Sequence, residues 1–236
     1  MKPNRTPISL KSMNSFGVEA VAAGCVEFAD VESLRAFFAE QRSSCESWYV
    51  LSGGNNVLFT RDYPGVILHP VAQGITLLDE KDGKAMVKVG AGVEWDDFVA
   101  WAVDHGYGGI ENLSLIPGYV GAAPVQNIGA YGAEAKDTIR EVEFYSPEKD
   151  QIEVLSAEAC AFGYRDSIFK RELRGRAIIL SVTFALDLVP VFRLGYGDLK
   201  AKVEEAGGPT LHTVRDAVVA IRRSKLTDPN ELGNAG

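Results

Sequence analysis

Residues 115–132, Leu-Ile-Pro-Gly-Tyr-Val-Gly-Ala-Ala-Pro-Val-Gln-Asn-Ile-Gly-Ala-Tyr-Gly, constrain the fold more than any other stretch of the 236-residue chain. Gly118, Gly121, Gly129 and Gly132, with Pro117 and Pro124, oppose a helix interior. Proline donates no ladder hydrogen bond, so the run is equally poor as a central strand. It is also too apolar for a solvated linker. What remains is buried, irregular backbone that something else approaches closely, with glycines letting N–H groups reach a ligand. The competing reading is a long core loop without chemistry, a rare feature of compact domains.

The rest of the chain bounds what that ligand is. Hydrophobic content of 46% and charged content of 24% are those of a globular protein with a sizeable core. A net charge of −8 argues against nucleic acid or an anionic membrane as main partner, though a local basic pocket still suits an anionic substrate. The N-terminus lacks an apolar signal core, and the longest apolar stretch, Ala177–Leu186, is too short to span a bilayer. Cys25, Cys45 and Cys160, and likewise His69, His105 and His212, are too scattered to pair or to hold a metal by spacing. Free thiols in a reducing compartment follow, and with them a cytoplasmic protein with no membrane insertion and no metal site.

Periodicity gives a mixed set of elements. Asp30 is placed to cap a helix over Val31–Glu40 that carries Val31, Leu34, Phe37 and Phe38 on one face. Trp48–Leu51 reads as a strand, with two more, Val57–Phe59 and Val66–Leu68, around an Asp62–Gly65 turn. A second unit begins near Gly74, with a strand at Ala85–Gly90 and a helix at Glu94–Asp104 stopped by Gly106. Strands follow near Glu141–Tyr145, Ile152–Leu155 and Ala177–Leu186, with a short helix over Ala157–Ala161. Helices at Asp198–Glu205 and Val214–Arg223, the latter capped by Thr213, complete the list. Helices mixed with hairpin-like strands make the class α+β.

Three further segments carry chemistry. Ser52-Gly-Gly-Asn-Asn56 leaves a strand directly, and its residues tolerate positive φ, so consecutive N–H groups are able to converge on an anion. A tight hairpin turn explains the same residues. The segment is not a phosphate-binding loop of the Gly-Lys-Ser/Thr kind, and no Gly-x-Gly-x-x-Gly opens a helix. In Phe162-Gly-Tyr-Arg-Asp-Ser-Ile-Phe-Lys170, Arg165 offers a planar fork for a carboxylate, or else simply pairs with Asp166. Gly195-Tyr-Gly-Asp198 puts Tyr196 on a glycine-flanked turn, suited to a closing loop or an ordinary hairpin. Arg222-Arg-Ser-Lys225 ends a helix, where the dipole alone favours cations.

Asn14-Ser-Phe-Gly17, Ser52–Phe59, Glu111–Gly132, Phe162–Lys170 and Tyr196–Leu199 occur in one order, and over nearly the whole chain the sequence resembles the UDP-N-acetylenolpyruvoylglucosamine reductases, the MurB flavoenzymes that keep the tyrosine loop. The resemblance implies a fold like that of vanillyl-alcohol and p-cresol oxidases (the PCMH type), with FAD held between two α+β subdomains. These would span residues 1–72 and 73–224, the second carrying the Tyr196 loop, and residues 225–236 would begin a linker to a substrate-binding domain. It implies reduction of UDP-N-acetylglucosamine enolpyruvate to UDP-N-acetylmuramate by NADPH through FAD, in peptidoglycan synthesis, by a monomer. Ser52, Gly53, Gly54, Asn55, Asn56 and Val57 would cradle the FAD pyrophosphate. Pro117, Gly118, Gly121, Ala122, Ala123 and Gln126 would line the flavin, together with Asn127, Gly129, Ala130, Tyr131 and Ile179. Arg165 matches the catalytic arginine, Tyr196 the tyrosine over the UDP portion, and Lys225 a lysine near the substrate phosphates.

Two expectations qualify this. The family's serine proton donor, its glutamate and most of its third domain would lie past Gly236, so the sequence is expected to be a fragment that does not complete protonation. Another FAD-linked oxidoreductase of the same fold, a non-catalytic flavin-binding module and a plain sugar-nucleotide binder stay open. No histidine falls in the two flavin-contacting loops, which favours dissociable FAD.

Overall fold

A computed structural model of the chain describes residues 6–41 and 47–226. Cys45 and the expected linker residues 227–236 lie outside them. The chain begins with β1 (Ile8–Ser9), β2 (Val21–Phe28), helix α1 (Val31–Gln41), β3 (Trp48–Val50) and β4 (Tyr63–Pro70). Asp30 caps α1 by accepting from the Ser33 N–H at 2.8 Å, and Val31, Leu34 and Phe37 are buried. These strands form a sheet in the order β1-β2-β4-β3, with β4 parallel to both β2 and β3.

That topology corrects the reading of residues 57–65. Adjacent parallel strands need a crossover that returns the chain along the sheet, and residues 51–62 are that return. Val57–Phe59 is therefore irregular backbone and not a strand. The expected Asp62–Gly65 turn is also absent, because Tyr63, Pro64 and Gly65 already belong to β4. Pro64 is tolerated there because the β2–β4 register shifts between Ala22 and Gly24, beside its position.

The second sheet holds β5 (Ile75–Lys81) and β6 (Lys84–Gly90), a hairpin whose turn residues Asp82 and Gly83 have φ of 52° and 77°. Neither β5 nor β2 is among the strands expected from the sequence, although the Asp82-Gly83 pair is a strong hairpin signal. Helix α2 (Trp95–Asp104) follows, then the irregular run, which closes on two-residue strands β7 (Gly129–Ala130) and β8 (Ala133–Glu134). Strands β9 (Ile139–Ser146), β10 (Gln151–Ser156) and β11 (Ile178–Asp187) complete an antiparallel sheet ordered β10-β9-β11-β6-β5. Residues 157–161 form a turn and not the expected short helix, with Ala161 at a φ of 47°.

Helix α2 buries Trp95, Phe98, Val99 and Ala102 on this sheet, and the Phe98 ring lies 4.8 Å from that of Phe184 on β11. Tyr145 of β9 and Ile178 of β11 pack with Phe28, Leu34, Val66 and Leu68, so one apolar cluster fastens α1 and the first sheet to the second. Helices α3 (Leu199–Glu205) and α4 (Leu211–Lys225) form a separate small cluster through Leu199, Val203, Val214, Val218 and Ile221. The cap of α4 is Thr210 and not Thr213. Thr213 is the third helical residue and closes a capping box, each side chain taking the other's backbone N–H. Among the described residues no helix is long and apolar enough to cross a membrane.

Candidate functional site

A cleft of about 590 Å³ lies where the crossover of the first sheet meets the irregular run and residues 169–179 before and within β11. Its size is that of a cofactor site, about 300–1,000 Å³. Ser52, Gly53, Gly54, Asn55, Asn56 and Val57 all line it, as do Pro117, Gly118, Gly121, Ala122, Ala123, Gln126 and Ile179.

The run holds its shape by binding the segment between β6 and α2. Gly118 C=O accepts from the Trp95 N–H, the Val120 N–H donates to Val93 C=O, and the Gly121 N–H donates to Ala91 C=O at 3.0 Å. A Cβ on Gly121 would stand 2.7 Å from the Ala91 Cβ, so only glycine permits this approach. The crossover closes on the run from the other side. A Cβ on Gly53 would stand 3.0 Å from the Gly118 Cα, and Asn56 Nδ2 donates to Gln126 Oε1 at 2.9 Å across the gap. In Ser52–Asn56 positive φ falls on Gly54 alone, at 64°. Ser52 Oγ is buried and has no hydrogen-bond partner among the described residues, and such a group is costly unless a ligand completes it.

The second half of the run serves a different purpose. Asn127 is fully buried and does not line the cleft. Its Nδ2 donates to Gly163 C=O at 2.9 Å and its Oδ1 accepts from the Lys136 N–H at 3.0 Å. Its side chain is therefore engaged within the protein. Gly129, Ala130 and Tyr131 also lie outside the cleft lining.

Arg165 is held by this second half. Its Nη1 donates to Asn127 C=O at 3.3 Å and its Nη2 donates to Gly129 C=O. The alternative pair with Asp166 does not form, since Asp166 lies 3.4 Å from Arg171 Nε instead. Arg165 has a φ of 52°, a strained value for a non-glycine residue, and its backbone carbonyl accepts from Lys170 Nζ at 3.0 Å. Ser167, which sequence reasoning left without a role, donates from Oγ to Val125 C=O at 2.6 Å and caps the turn that carries Phe169 and Lys170.

Tyr196 stands apart from the cleft. It is exposed, with its ring edge-on to Tyr131 at 5.6 Å. Lys225 is exposed on the last turn of α4. One turn earlier, Arg222 Nε donates to Leu115 C=O at 3.1 Å, and burial lowers the Arg222 pKa. The Leu115 N–H donates to Asp96 Oδ1 at 2.5 Å, and Arg215 donates to both Asp96 oxygens at 2.7 and 2.9 Å. Burial raises the Asp96 pKa, but the Arg215 hydrogen bonds, the Leu115 N–H and the charges of Arg215 and Arg222 outweigh it and hold the carboxyl below its usual value. Leu115 has a φ of 56°, so this clamp fixes a strained residue at the mouth of the run. Sequence spacing offered no signal for it, because Asp96 and Arg215 are 119 residues apart.

His69 Nδ1 is 2.8 Å from Leu51 O and His105 Nδ1 is 2.7 Å from Trp101 O; no histidine or cysteine lines the cleft among the described residues. Burial pushes the Cys160 thiol up to about 12, which leaves it unreactive at neutral pH. A flat, anionic dinucleotide fits these walls: a narrow glycine-lined gap, an orphaned hydroxyl, and no carboxylate among the described lining residues.

Known proteins agree with that chemistry. A family described as FAD binding domain matches residues 22–154. A UDP-N-acetylenolpyruvoylglucosamine reductase of Neisseria meningitidis serogroup A is 44% identical over 239 residues, covering 100% of this chain and 69% of that protein. One from Burkholderia ambifaria is 46% identical, covering 96% of this chain and 66% of its own length. Among solved structures, the UDP-N-acetylenolpyruvylglucosamine reductase of Thermus caldophilus superposes with a TM-score of 0.72 at 23% identity, over 98% of this chain and 72% of that one. A VAO-type flavoprotein of Myceliophthora thermophila superposes with a TM-score of 0.52 at 19% identity, over 71% of this chain and 32% of its own. These two likenesses speak for the fold.

Proposed function

The chain belongs to the UDP-N-acetylenolpyruvoylglucosamine reductase family, and on that premise we propose that it holds FAD in the described cleft for reduction of UDP-N-acetylglucosamine enolpyruvate to UDP-N-acetylmuramate in peptidoglycan precursor synthesis. The observation that carries the reading is the closure of Ser52–Val57 on Pro117–Gln126 around a cleft with an unsatisfied Ser52 hydroxyl. Bound FAD supplies the hydride chemistry, with NADPH as the donor. We assign the two walls of the site to units 1–72 and 73–224 of a cytoplasmic monomer.

The protein's own residues position and polarise. The glycine-lined walls admit a flat ring and keep water from its faces. Ser52 Oγ and the neighbouring backbone N–H groups receive the cofactor's phosphates. Arg165 uses two of its hydrogen-bonding directions on Asn127 and Gly129, which fixes the guanidinium before any substrate arrives. Its remaining donors hold the enolpyruvyl carboxylate. Charge grows on that carboxylate as the adjacent double bond is reduced, and a guanidinium already in place stabilises the charge more than the ground state. Tyr196, braced on Tyr131, and Lys225 take the nucleotide part of the substrate.

The test is spectroscopic. The purified chain is titrated with FAD, reduced anaerobically with NADPH, and then mixed with the enolpyruvyl substrate. Tight uptake of FAD and bleaching by NADPH support the reading, and failure to take up FAD overturns it.

A further inference from the structure

Four cations fall in the short stretch Lys170–Arg176, and the fold sorts them into two kinds. Arg176 donates to both Glu148 oxygens, at 3.0 and 2.6 Å. Arg171 lies 3.4 Å from Asp166 Oδ2 and 3.8 Å from Glu172 Oε2. Neither of these arginines lines the cleft. Lys170 and Arg174 do line it, and among the described residues neither has a carboxylate partner. Lys170 Nζ donates to Arg165 C=O at 3.0 Å, a neutral acceptor that leaves its charge uncompensated.

The contrast is sharpened by the chain as a whole. It carries 32 acidic and 24 basic residues, yet the charged residues lining this cleft are two cations and no acid among the described residues. Arg174 also stands near Tyr49, a lining residue whose phenol burial pushes up while the Arg174 charge opposes the shift. Exposed cations on a net-acidic protein usually find carboxylates nearby, as Arg171 and Arg176 do. Two that face a cleft without them form a site for negative charge.

We propose that Lys170 and Arg174 are the counter-charges for the diphosphate end of the flavin, and make the cleft select FAD over an uncharged flavin. This rests on the cofactor reading above and deepens it, since neither residue belongs to the glycine-rich walls. Their contribution is electrostatic, so it weakens as salt rises.

The experiment compares equilibrium binding of FAD and of riboflavin to the wild-type chain, Lys170→Gln, Arg174→Gln and the double variant, at low and high ionic strength. Riboflavin carries the ring but neither phosphate nor adenine. Each single variant is expected to weaken FAD binding about tenfold at low salt, as loss of a charge-assisted contact does. The double variant is expected to lose most of the salt dependence, with riboflavin binding unchanged throughout. An unchanged FAD affinity in the double variant overturns the proposal, and so does parallel weakening of riboflavin, which would mark general damage to the cleft. A wild-type chain that binds neither flavin overturns the cofactor reading itself, and the proposal with it.

Discussion

Replacing Ser52 by alanine separates the cost of an empty cradle from its use. Ser52 Oγ is buried without a partner, and a buried hydroxyl in that condition costs about 1–3 kcal/mol. Its removal should therefore stabilise the flavin-free protein by about 1 kcal/mol, a rise in melting temperature of about 2–4 °C for a chain of this size. The same hydroxyl is placed to donate to a phosphate, and a hydrogen bond to a charged group contributes about 1.5–3 kcal/mol. Loss of that bond should weaken FAD binding at least about tenfold. The signs are opposite, which ordinary packing damage does not produce. Thermal unfolding with and without FAD reads both at once, because a ligand bound only by the folded state raises the midpoint according to its affinity. Ser52→Ala should melt higher than wild type without FAD, and gain less from added FAD. A lower flavin-free midpoint, or an unchanged FAD affinity, would refute the reasoning.

Other perturbations probe the walls and the arginines. Gly121→Ala forces a Cβ to 2.7 Å from the Ala91 Cβ and 3.0 Å from its carbonyl oxygen, and should cost about 1–3 kcal/mol in urea unfolding, with FAD affinity falling alongside. Asp96→Asn breaks the largely buried pair with Arg215 and should destabilise by about 2 kcal/mol at neutral pH, between the values for exposed and fully buried pairs. Because the folded Asp96 pKa is depressed, its stabilisation is present above the unfolded value of about 3.9 and is lost as pH falls through the lower folded value. The gap between wild type and Asp96→Asn should therefore close in acid, and a constant gap down to the lowest accessible pH would count against the clamp. Arg165→Lys removes the planar fork on Asn127 and Gly129, and should slow reoxidation of the reduced flavin by the enolpyruvyl substrate at least about a hundredfold while FAD affinity changes little. Stopped-flow absorbance checks the first and titration the second.

Much of this site was legible because its signals are local. Glycines and prolines marked 115–132 as irregular and closely approached, and Gly121 against Ala91 shows what the glycine is for. Helical periodicity placed α1, α2 and the buried stripe of α4. Apolar patterning placed β3, β6, β9, β10, β11 and the middle of β4, but not β2 or β5. The misses have a common cause in pairing that sequence does not display. Val57–Phe59 looked like a strand because it is apolar, but strand order makes it the return of a parallel crossover. The side-chain partners of Asn127, Gly163 and Lys136, lie 36 and 9 residues away in sequence, where no local pattern displays them. The Asp96–Arg215 clamp on Leu115, and the sorting of Lys170 and Arg174 from Arg171 and Arg176, depend on side chains brought together only by the fold.

The central claim is where the flavin sits, and hydrogen exchange of the chain with and without saturating FAD tests it most directly. Slowed exchange confined to Trp48–Val57, Gly118–Ile128 and the neighbourhood of Lys170–Ile179 is the predicted result. Unchanged exchange in those three segments, with protection appearing on α3 and α4 instead, would contradict it.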